Sequence, residues 1–200
     1  MVALRGLFSG ERVDLEGNEF SLKSASLNYG RKNIEIFLAG RGKRMTQLGS
    51  ELGDCFYLSY IHKDFLSEHV KALRNSAERD PFKIVYSTMV VSSQKEFEEA
   101  RAALSFRLVD SPQEVKEHIG LTEEINTEIK QALSEGGPPN AAKHVPSEWV
   151  EQFVITGSAS EASNELRNLI NENGIDEFQV PIGSPKEAEK VISRTSKMFK

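Results

Sequence analysis

The amino-acid sequence predicts an α/β fold built on a parallel β-sheet. Short apolar runs typical of buried strands recur along the chain, and each is followed by a segment with helical periodicity. Glycine or polar residues separate the strand signals from the helix signals. A strand, a helix and a second strand within roughly 30 residues form the βαβ unit of a parallel sheet. The pattern therefore favours alternating strands and helices over an all-helical or all-β domain.

The first part of the chain lies outside this alternation. Residues 1–8 have the apolar spacing of the last turns of a helix, and Ser9-Gly10 is a typical helix stop. Alternating apolar residues on both sides of Glu16-Gly17-Asn18 predict a β-hairpin. The polar stretch 24–33 is expected to be a loop.

Four segments are predicted to form the parallel strands. They are residues 34–39, 55–60, 84–91 and 175–182. Helices with an apolar side are expected at 64–77, 94–105, 158–173 and 186–199. Ser160 and Gly174 are the expected caps of the third of these helices.

The segment between the last two strands is longer than one connecting helix requires. Ser111-Pro112 and Thr122 are expected to start helices, and the run from Gly136 to Asn140 is expected to interrupt the chain. Pro146 should open a short helix that runs through Phe153. We therefore predict a helical insertion at 106–153 within one domain that spans 1–200.

Four strand–helix units amount to half of a (β/α)₈ barrel. An open, doubly wound sheet is the competing architecture that the pattern alone allows.

The loop after the first parallel strand is the best candidate for a binding site. Two glycines and three basic residues, Gly40 to Arg44, lead into a helix with Met45, Leu48, Gly49 and Leu52 on its apolar side. Glycines allow a close backbone approach, and the helix start presents free N–H groups and a positive dipole end to an anion. The alternative is an ordinary strand-to-helix turn with solvated basic side chains. Gly183-Ser184, after the last strand, is a weaker second candidate for the same role.

Composition narrows the functional classes. A net charge of −5 argues against a general nucleic-acid binder, and no apolar run approaches the length of a membrane span. The single cysteine, Cys55, lies in an apolar run and is expected to be a buried thiol in a reducing, cytoplasmic protein.

The four histidines are scattered. No pair among His62, His69, His118 and His144 has metal-ligand spacing, so no metal site is predicted. His62 follows a strand end and is expected nearest to a site, and the other three are expected on solvated surfaces.

Several of these segments together resemble a known family. The stretches are 3–11, the hairpin around Glu16-Gly17, 34–43, 48–54, 79–81, 153–158 and 174–178. In this order they are similar to the C-terminal part of the luciferase-like oxidoreductases, especially the methylenetetrahydromethanopterin reductases that use the deazaflavin coenzyme (F-420). Two departures are the absence of a Gly-Pro pair in the loop 39–43 and the presence of Cys55 where the family commonly has glycine.

The resemblance implies a fold, a cofactor and a set of site residues. It implies that the chain supplies strands five to eight of a TIM (β/α)₈ barrel, the C-terminal half. It implies a deazaflavin coenzyme, or FMN as the alternative, whose phosphate is bound near Ala39, Gly40, Arg41, Gly42 and Lys43. Ser59 and Tyr60, which end the second strand, are expected at the same mouth, where Ser59 is the candidate contact. The resemblance identifies no catalytic residue in this half.

The function that follows is hydride transfer between the deazaflavin coenzyme and a methylene-tetrahydropterin or other small substrate. Because the family's first half carries many substrate and flavin contacts, this chain alone is expected to show little turnover. The alternatives are an FMN-dependent monooxygenase and a non-catalytic half-barrel subunit. The expected partners are a second copy of the chain or a complementary first-half polypeptide, with no nucleic acid and no membrane.

Overall fold

A computed structural model describes residues 1–198. The chain begins with helix α1 (Val2–Phe8) and an antiparallel hairpin of strands β1 (Val13–Glu16) and β2 (Ser21–Ala25). Both elements are where the sequence predicts them, because Ser9-Gly10 ends the helix and Gly17 turns the hairpin.

The centre of the fold is a parallel, four-stranded sheet, as predicted. Its strands are β3 (Phe37–Ala39), β4 (Cys55–Ser59), β5 (Lys83–Ser87) and β6 (Glu177–Phe178), in that spatial order. Each strand thus lies beside the next one in the chain.

Helices connect and flank these strands. They are α2 (Lys43–Leu52), α3 (Lys63–Asn75), α4 (Gln94–Val109), α5 (Gln113–His118), α6 (Glu123–Ala141), α7 (Ser147–Phe153), α8 (Ala159–Asn173) and α9 (Pro185–Met198). Among residues 1–198, none of the helices combines the length and apolar character needed to cross a bilayer.

One face of the sheet packs against helices. Alternate strand residues such as Phe56, Leu58 and Ile84 form a buried cluster with Leu66 and Leu73 of α3. The remaining strand residues, including Ala39, Tyr57 and Ser59, alternate with these positions and therefore face away from the helices.

The helices between β5 and α8 form a second core. Buried side chains of α4, α6 and α7, among them Leu104, Ile129 and Trp149, pack together in one cluster. The chain then returns to the sheet, where Ile155 forms a parallel bridge with Val90, through N–H···O distances of 2.8 and 3.0 Å. No strand is predicted from the sequence at residue 155, so this bridge, which follows α7 directly, is an addition to the predicted sheet.

All four parallel strands are shorter than predicted, and β4 is shorter by one residue, since it ends at Ser59. The segment 34–39 forms a strand only from Phe37, because Asn33 adopts a left-handed backbone (φ 64°) and the Ile36 amide donates to Asp54. The segment 84–91 ends as a strand at Ser87. The last strand ends at Phe178 rather than residue 182, shortly before Pro181, which has no N–H to donate to a ladder.

The apolar side of α2 is not the side that is buried. Thr46, Gly49 and Ser50 are buried, whereas Met45 and Leu48 remain 39% and 40% exposed. The reason is the close approach of Gly49 to the ring of Phe56, where an added Cβ would lie 2.2 Å from a ring carbon. The sheet therefore meets α2 along its small residues.

Some predicted helix ends are also wrong. Helix α8 is capped by Ser158, in a capping box with Glu161, rather than by Ser160. Pro112 lies at the N-cap position of α5, because the Ser111 hydroxyl donates to the Arg107 carbonyl instead. Helix α4 continues past residue 105 to Val109, and only Gly137 (φ 69°) is non-helical in the expected break of α6.

Candidate functional site

The candidate site lies where the parallel strands end. We call this end of the sheet, with the loops that follow β3, β4 and β5, the carboxyl edge. Ala39 is the last residue of β3 and Ser59 the last residue of β4. Because parallel strands end at the same side, the structure brings the loop after Ala39 and Ser59 to one edge and to the same face of the sheet.

The loop Gly40–Gly42 leads into α2 without a side-chain cap. Gly42 is the N-cap residue and has an extended backbone, and its carbonyl accepts from the Met45 and Thr46 amides. The first amides of a helix have no acceptor within the helix. A Cβ on Gly42 would meet no atom within 4 Å, so the space in front of this helix start is open. The arrangement suits an anion.

Glycine has a different role at position 40. A Cβ on Gly40 would lie 2.7 Å from the Cβ of Met45. The first glycine of the loop therefore lets the chain turn tightly into α2, whereas the second borders the open space.

The basic side chains of this loop are partly engaged. The half-buried Arg41 donates to the Arg107 carbonyl at 2.9 Å, and Lys43 pairs with Glu114 of α5 at 3.0 Å. Burial lowers the pKa of Arg41, and the hydrogen bond with Glu114 raises the pKa of Lys43. The exposed Arg44 follows them. The backbone of the loop is therefore more accessible to an anion than Arg41 is.

Tyr60, which follows β4, packs against the helices that follow β5. It has a left-handed backbone (φ 51°), which is uncommon for a residue with a bulky side chain. Its ring is buried in the helical core, and the Arg107 guanidinium lies 3.9 Å from the ring centroid. Burial raises the pKa of its hydroxyl, although Arg107 acts in the opposite direction. Such local strain is common near functional sites.

His62 lies in the loop between β4 and α3, at this edge. It is 2% exposed, and its Nδ1 accepts from the Asp64 amide at the start of α3. Its ring lies edge-on to His118, whose Nε2 is 3.0 Å from Asp64 Oδ2. These three residues come together although 54 positions separate Asp64 from His118.

The other histidines differ from one another in exposure. His118 is exposed as expected, whereas His69 and His144 are half-buried. Burial lowers the pKa of His69, and His144 lies 3.3 Å from Glu128.

Cys55 is a buried, free thiol, as predicted. Burial raises its pKa to about 11, so the thiol stays neutral at ordinary pH. It begins β4, at the opposite end of the strand from Ser59, and has the properties of a packing residue.

The weaker candidate loop at Gly183-Ser184 borders a cavity of about 170 Å³ between α4 and α9. Arg194, which lines this cavity, is paired with Glu96 at 2.7 Å. A carboxylate already neutralises Arg194. The loop Gly183-Ser184 is therefore less suited to bind an anion than the carboxyl edge is.

Comparisons with known proteins agree on one family. Residues 2–177 match the family model described as luciferase-like monooxygenase. The 5,10-methylenetetrahydromethanopterin reductase of Archaeoglobus fulgidus is 30% identical over 94% of this chain and 59% of its own length. The reductase of the same name from Methanolobus tindarius is 24% identical over 98% and 63%, respectively. The chain thus spans about three fifths of the length of these curated relatives.

Solved structures show the same fold. The coenzyme F420-dependent tetrahydromethanopterin reductase of Methanopyrus kandleri aligns with a TM-score of 0.75 and 20% identity, over 98% of this chain and 59% of that one. An F420-dependent secondary alcohol dehydrogenase aligns over the same shares with a TM-score of 0.63 and 16% identity. At these identities the likeness concerns the fold alone.

Proposed function

The chain belongs to the luciferase-like monooxygenase family, and we propose on this basis that it forms the phosphate-binding part of a deazaflavin-dependent oxidoreductase. The observation that carries the proposal is the uncapped start of α2, which opens at the carboxyl edge of the sheet. Barrel enzymes build their active sites at this edge.

The loop 39–43 and Ser59 form the proposed binding site for the cofactor. Backbone amides at the start of α2 bind the phosphate, and Arg44 and Lys43 add positive charge. Ala39 and Ser59 face the same side of the sheet and line the space next to the phosphate. Arg41 supports the loop through its hydrogen bond with the Arg107 carbonyl.

The deazaflavin coenzyme is the proposed cofactor because two of the similar structures bear names that include F420, and both align over 98% of the chain. This coenzyme would supply the hydride, and the protein would bind and orient it. The proposed substrate is a methylene-tetrahydropterin, since two relatives bear the name of a reductase for such a compound. FMN is the alternative cofactor that the same phosphate site would accept.

A titration tests the phosphate site. Gly42→Val places a branched side chain in the open space before α2 and should weaken coenzyme affinity at least about tenfold, as expected for a blocked anion contact. Fluorescence of the deazaflavin measures the affinity, with FMN titrated in parallel. Gly183→Val is the matched control in the second loop. Unchanged affinity in a folded Gly42→Val variant contradicts the assignment, and a loss in Gly183→Val alone would place the phosphate there.

We also propose that the sheet is completed by further strands from a partner. In the sheet that residues 1–198 form, β3 is a terminal strand. Phe37 on this strand is 48% exposed, and Ile34, Met45 and Leu48 nearby on the chain are 37–40% exposed. An apolar, unpaired strand edge is a template for pairing with another chain. The proposed occupant is a polypeptide of strand–helix units that supplies the remaining strands of the barrel.

Sedimentation velocity at low micromolar concentration tests this association. Adding charge through Phe37→Glu and Leu48→Glu should abolish it, whereas Phe20→Glu, at a 59% exposed residue between the hairpin strands, should not. Self-association would identify a second copy of the chain as the occupant. A compact and thermally stable monomer contradicts the proposal and favours an independently closed α/β fold.

The proposed activity of the chain alone is weak. Steady-state assays with reduced deazaflavin and methylene-tetrahydropterin substrates should show turnover far below the ~10 per second of a typical enzyme. Full turnover by the isolated chain contradicts the proposal that a partner completes the site.

A further inference from the structure

His62, Asp64 and His118 form a cluster of metal-ligand type near the carboxyl edge. One donor atom from each residue lies within 4.8 Å of those of the other two. His62 and Asp64 flank the start of α3, and His118 is the last residue of α5. The cluster therefore joins a loop of the sheet to the helical insertion.

His62 is prepared for coordination. Its ring is 2% exposed and lies edge-on between Phe65 and Phe153, with ring centroids 5.5 and 5.1 Å away. These contacts fix the orientation of the ring. Its Nδ1 already accepts a hydrogen bond from the Asp64 amide, so a lone pair on this nitrogen points toward the start of α3.

The other two donors have suitable spacing. His118 Nε2 and Asp64 Oδ2 are 3.0 Å apart, close to the ~3.3 Å between neighbouring ligands in a tetrahedral zinc site with bonds of ~2.0 Å. Both side chains are exposed, so a water molecule can occupy the fourth position. Two imidazoles and one carboxylate suit borderline divalent cations.

We propose that His62, Asp64 and His118 bind a divalent cation of the zinc class, with a water molecule as the fourth ligand. The ion fastens α5 to the loop between β4 and α3, next to the α5 residue Glu114 that pairs with Lys43 of the phosphate loop. Its role is structural, since it ties the insertion to the carboxyl edge. Coordination replaces the hydrogen bond between the Asp64 amide and His62, and we expect micromolar rather than nanomolar affinity.

The structure contains a matched control for this site. His144 lies 3.3 Å from Glu128 on a half-exposed surface and forms a pair of one imidazole and one carboxylate. Among the residues the structure describes, this pair is not part of a group of three donors. A histidine–carboxylate pair by itself should not hold the ion.

Zinc titration of the untagged, metal-stripped chain 1–200 by calorimetry tests the proposal, with Co²⁺ absorption as a second readout of coordination. We expect one equivalent of Zn²⁺ per chain and a rise in thermal stability on binding. His118→Ala and Asp64→Asn should weaken binding at least about tenfold, since even the loss of a residue that only supports a ligand has that effect, and His144→Ala should leave it unchanged.

Each outcome decides the question. Absence of zinc binding at micromolar concentration overturns the proposal, and so does undiminished binding in His118→Ala. Equal weakening by His144→Ala and His118→Ala also overturns it, because scattered surface histidines would then hold the metal. The experiment is independent of the proposed coenzyme, since it measures metal binding and stability without any cofactor.

Discussion

The two ends of the parallel sheet are built differently. At the amino edge, where the strands begin, two aspartates each accept hydrogen bonds from a backbone amide and from an arginine. Asp54 accepts from the Ile36 amide at 2.8 Å and from Arg5 at 2.9 Å, while its own amide donates to Ile36. Asp176 accepts from the Ile84 amide at 2.7 Å and from Arg74 at 2.6 Å.

At the carboxyl edge, one such network lies in the loop after β5, where Glu96 accepts from a backbone amide at 2.8 Å and from Arg194 at 2.7 Å. The start of α2, at the same edge, lacks one. Helix α2 begins there without a side-chain cap, Tyr60 has a left-handed backbone, and Gly42 borders open space. In barrel enzymes the amino end of the strands serves stability and the carboxyl end serves binding and catalysis. The contrast explains why several stretches that resemble the family, such as 48–54 and 174–178, contain residues that hold the fold together rather than a ligand.

The largest effect is expected at Asp54. Asp54→Ala removes the partner of Arg5 and Arg79 and the acceptor of the Ile36 amide, and should lower the free energy of unfolding by about 3 kcal/mol. Burial alone would raise the pKa of Asp54, but the hydrogen bonds from Arg5 and Ile36 outweigh it and keep the pKa low. Urea unfolding measures the loss. Asp176→Ala should lower the free energy of unfolding by less, because Asp176 is more exposed. An equal loss in both variants would contradict this ranking.

The next largest loss of stability is expected at Gly49 of α2, and Gly42 at the start of the same helix serves as its comparison. Gly49→Ala drives a methyl group into the ring of Phe56 and should cost about 2 kcal/mol by overpacking. Gly42→Ala meets no atom within 4 Å and should cost at most about 1 kcal/mol, through the weaker N-cap preference of alanine. Thermal unfolding of both variants measures the difference. A neutral Gly49→Ala variant would show that α2 can move away from the sheet, and that the packing there does not limit stability.

Local patterns in the sequence were sufficient to predict the parallel sheet, the hairpin and the position of the loop 40–44. They were not sufficient for α2, because the apolar spacing of Met45 and Leu48 ignores how closely Gly49 can approach Phe56. A glycine between apolar residues in a helix facing a strand was the signal available for this contact.

Long-range contacts explain the remaining differences at the candidate site. The pairing of Arg41 with the Arg107 carbonyl and of Lys43 with Glu114 joins residues 66 and 71 positions apart. Local spacing in the sequence also could not predict that His118 lies beside His62 and Asp64. Only the fold of the insertion brings these groups together.

The pH range in which titrating groups lower the stability should differ between the two edges of the sheet. An unfolded chain protonates His62 near pH ~6.5, whereas burial delays protonation of the folded chain to lower pH. Between the two pKa values the unfolded state binds more protons, so the free energy of unfolding decreases as pH falls, by up to ~1.4 kcal/mol per pH unit. His69 acts in the same direction. Asp54, whose pKa is lowered, acts only in the more acidic range where carboxylates protonate.

Urea unfolding in the presence of a chelator, between about pH 7.5 and 5, measures this slope. His62→Asn keeps a side-chain oxygen that can accept from the Asp64 amide but does not titrate, so part of the slope should disappear. His69→Gln should remove a further part. An unchanged slope in the double variant would show that the buried histidines are not the groups that sense pH.

The smallest effect is expected from the surface pair at the carboxyl edge. Lys43 and Glu114 are both well exposed, and exposed ion pairs contribute little to stability, so Glu114→Gln should leave the unfolding transition unchanged. Loss of the carboxylate frees Lys43 for an anion and lets its pKa return toward the ordinary value, since the hydrogen bond with Glu114 is the main cause of the raised pKa. Phosphate affinity at low salt should therefore increase by roughly twofold, the size expected of one exposed charge. Gln113→Glu, at the exposed residue before Glu114 on α5, adds a negative charge to this surface and should weaken phosphate binding. If both substitutions leave phosphate affinity unaltered, the anion does not bind near Lys43, and the backbone of this loop is not its site.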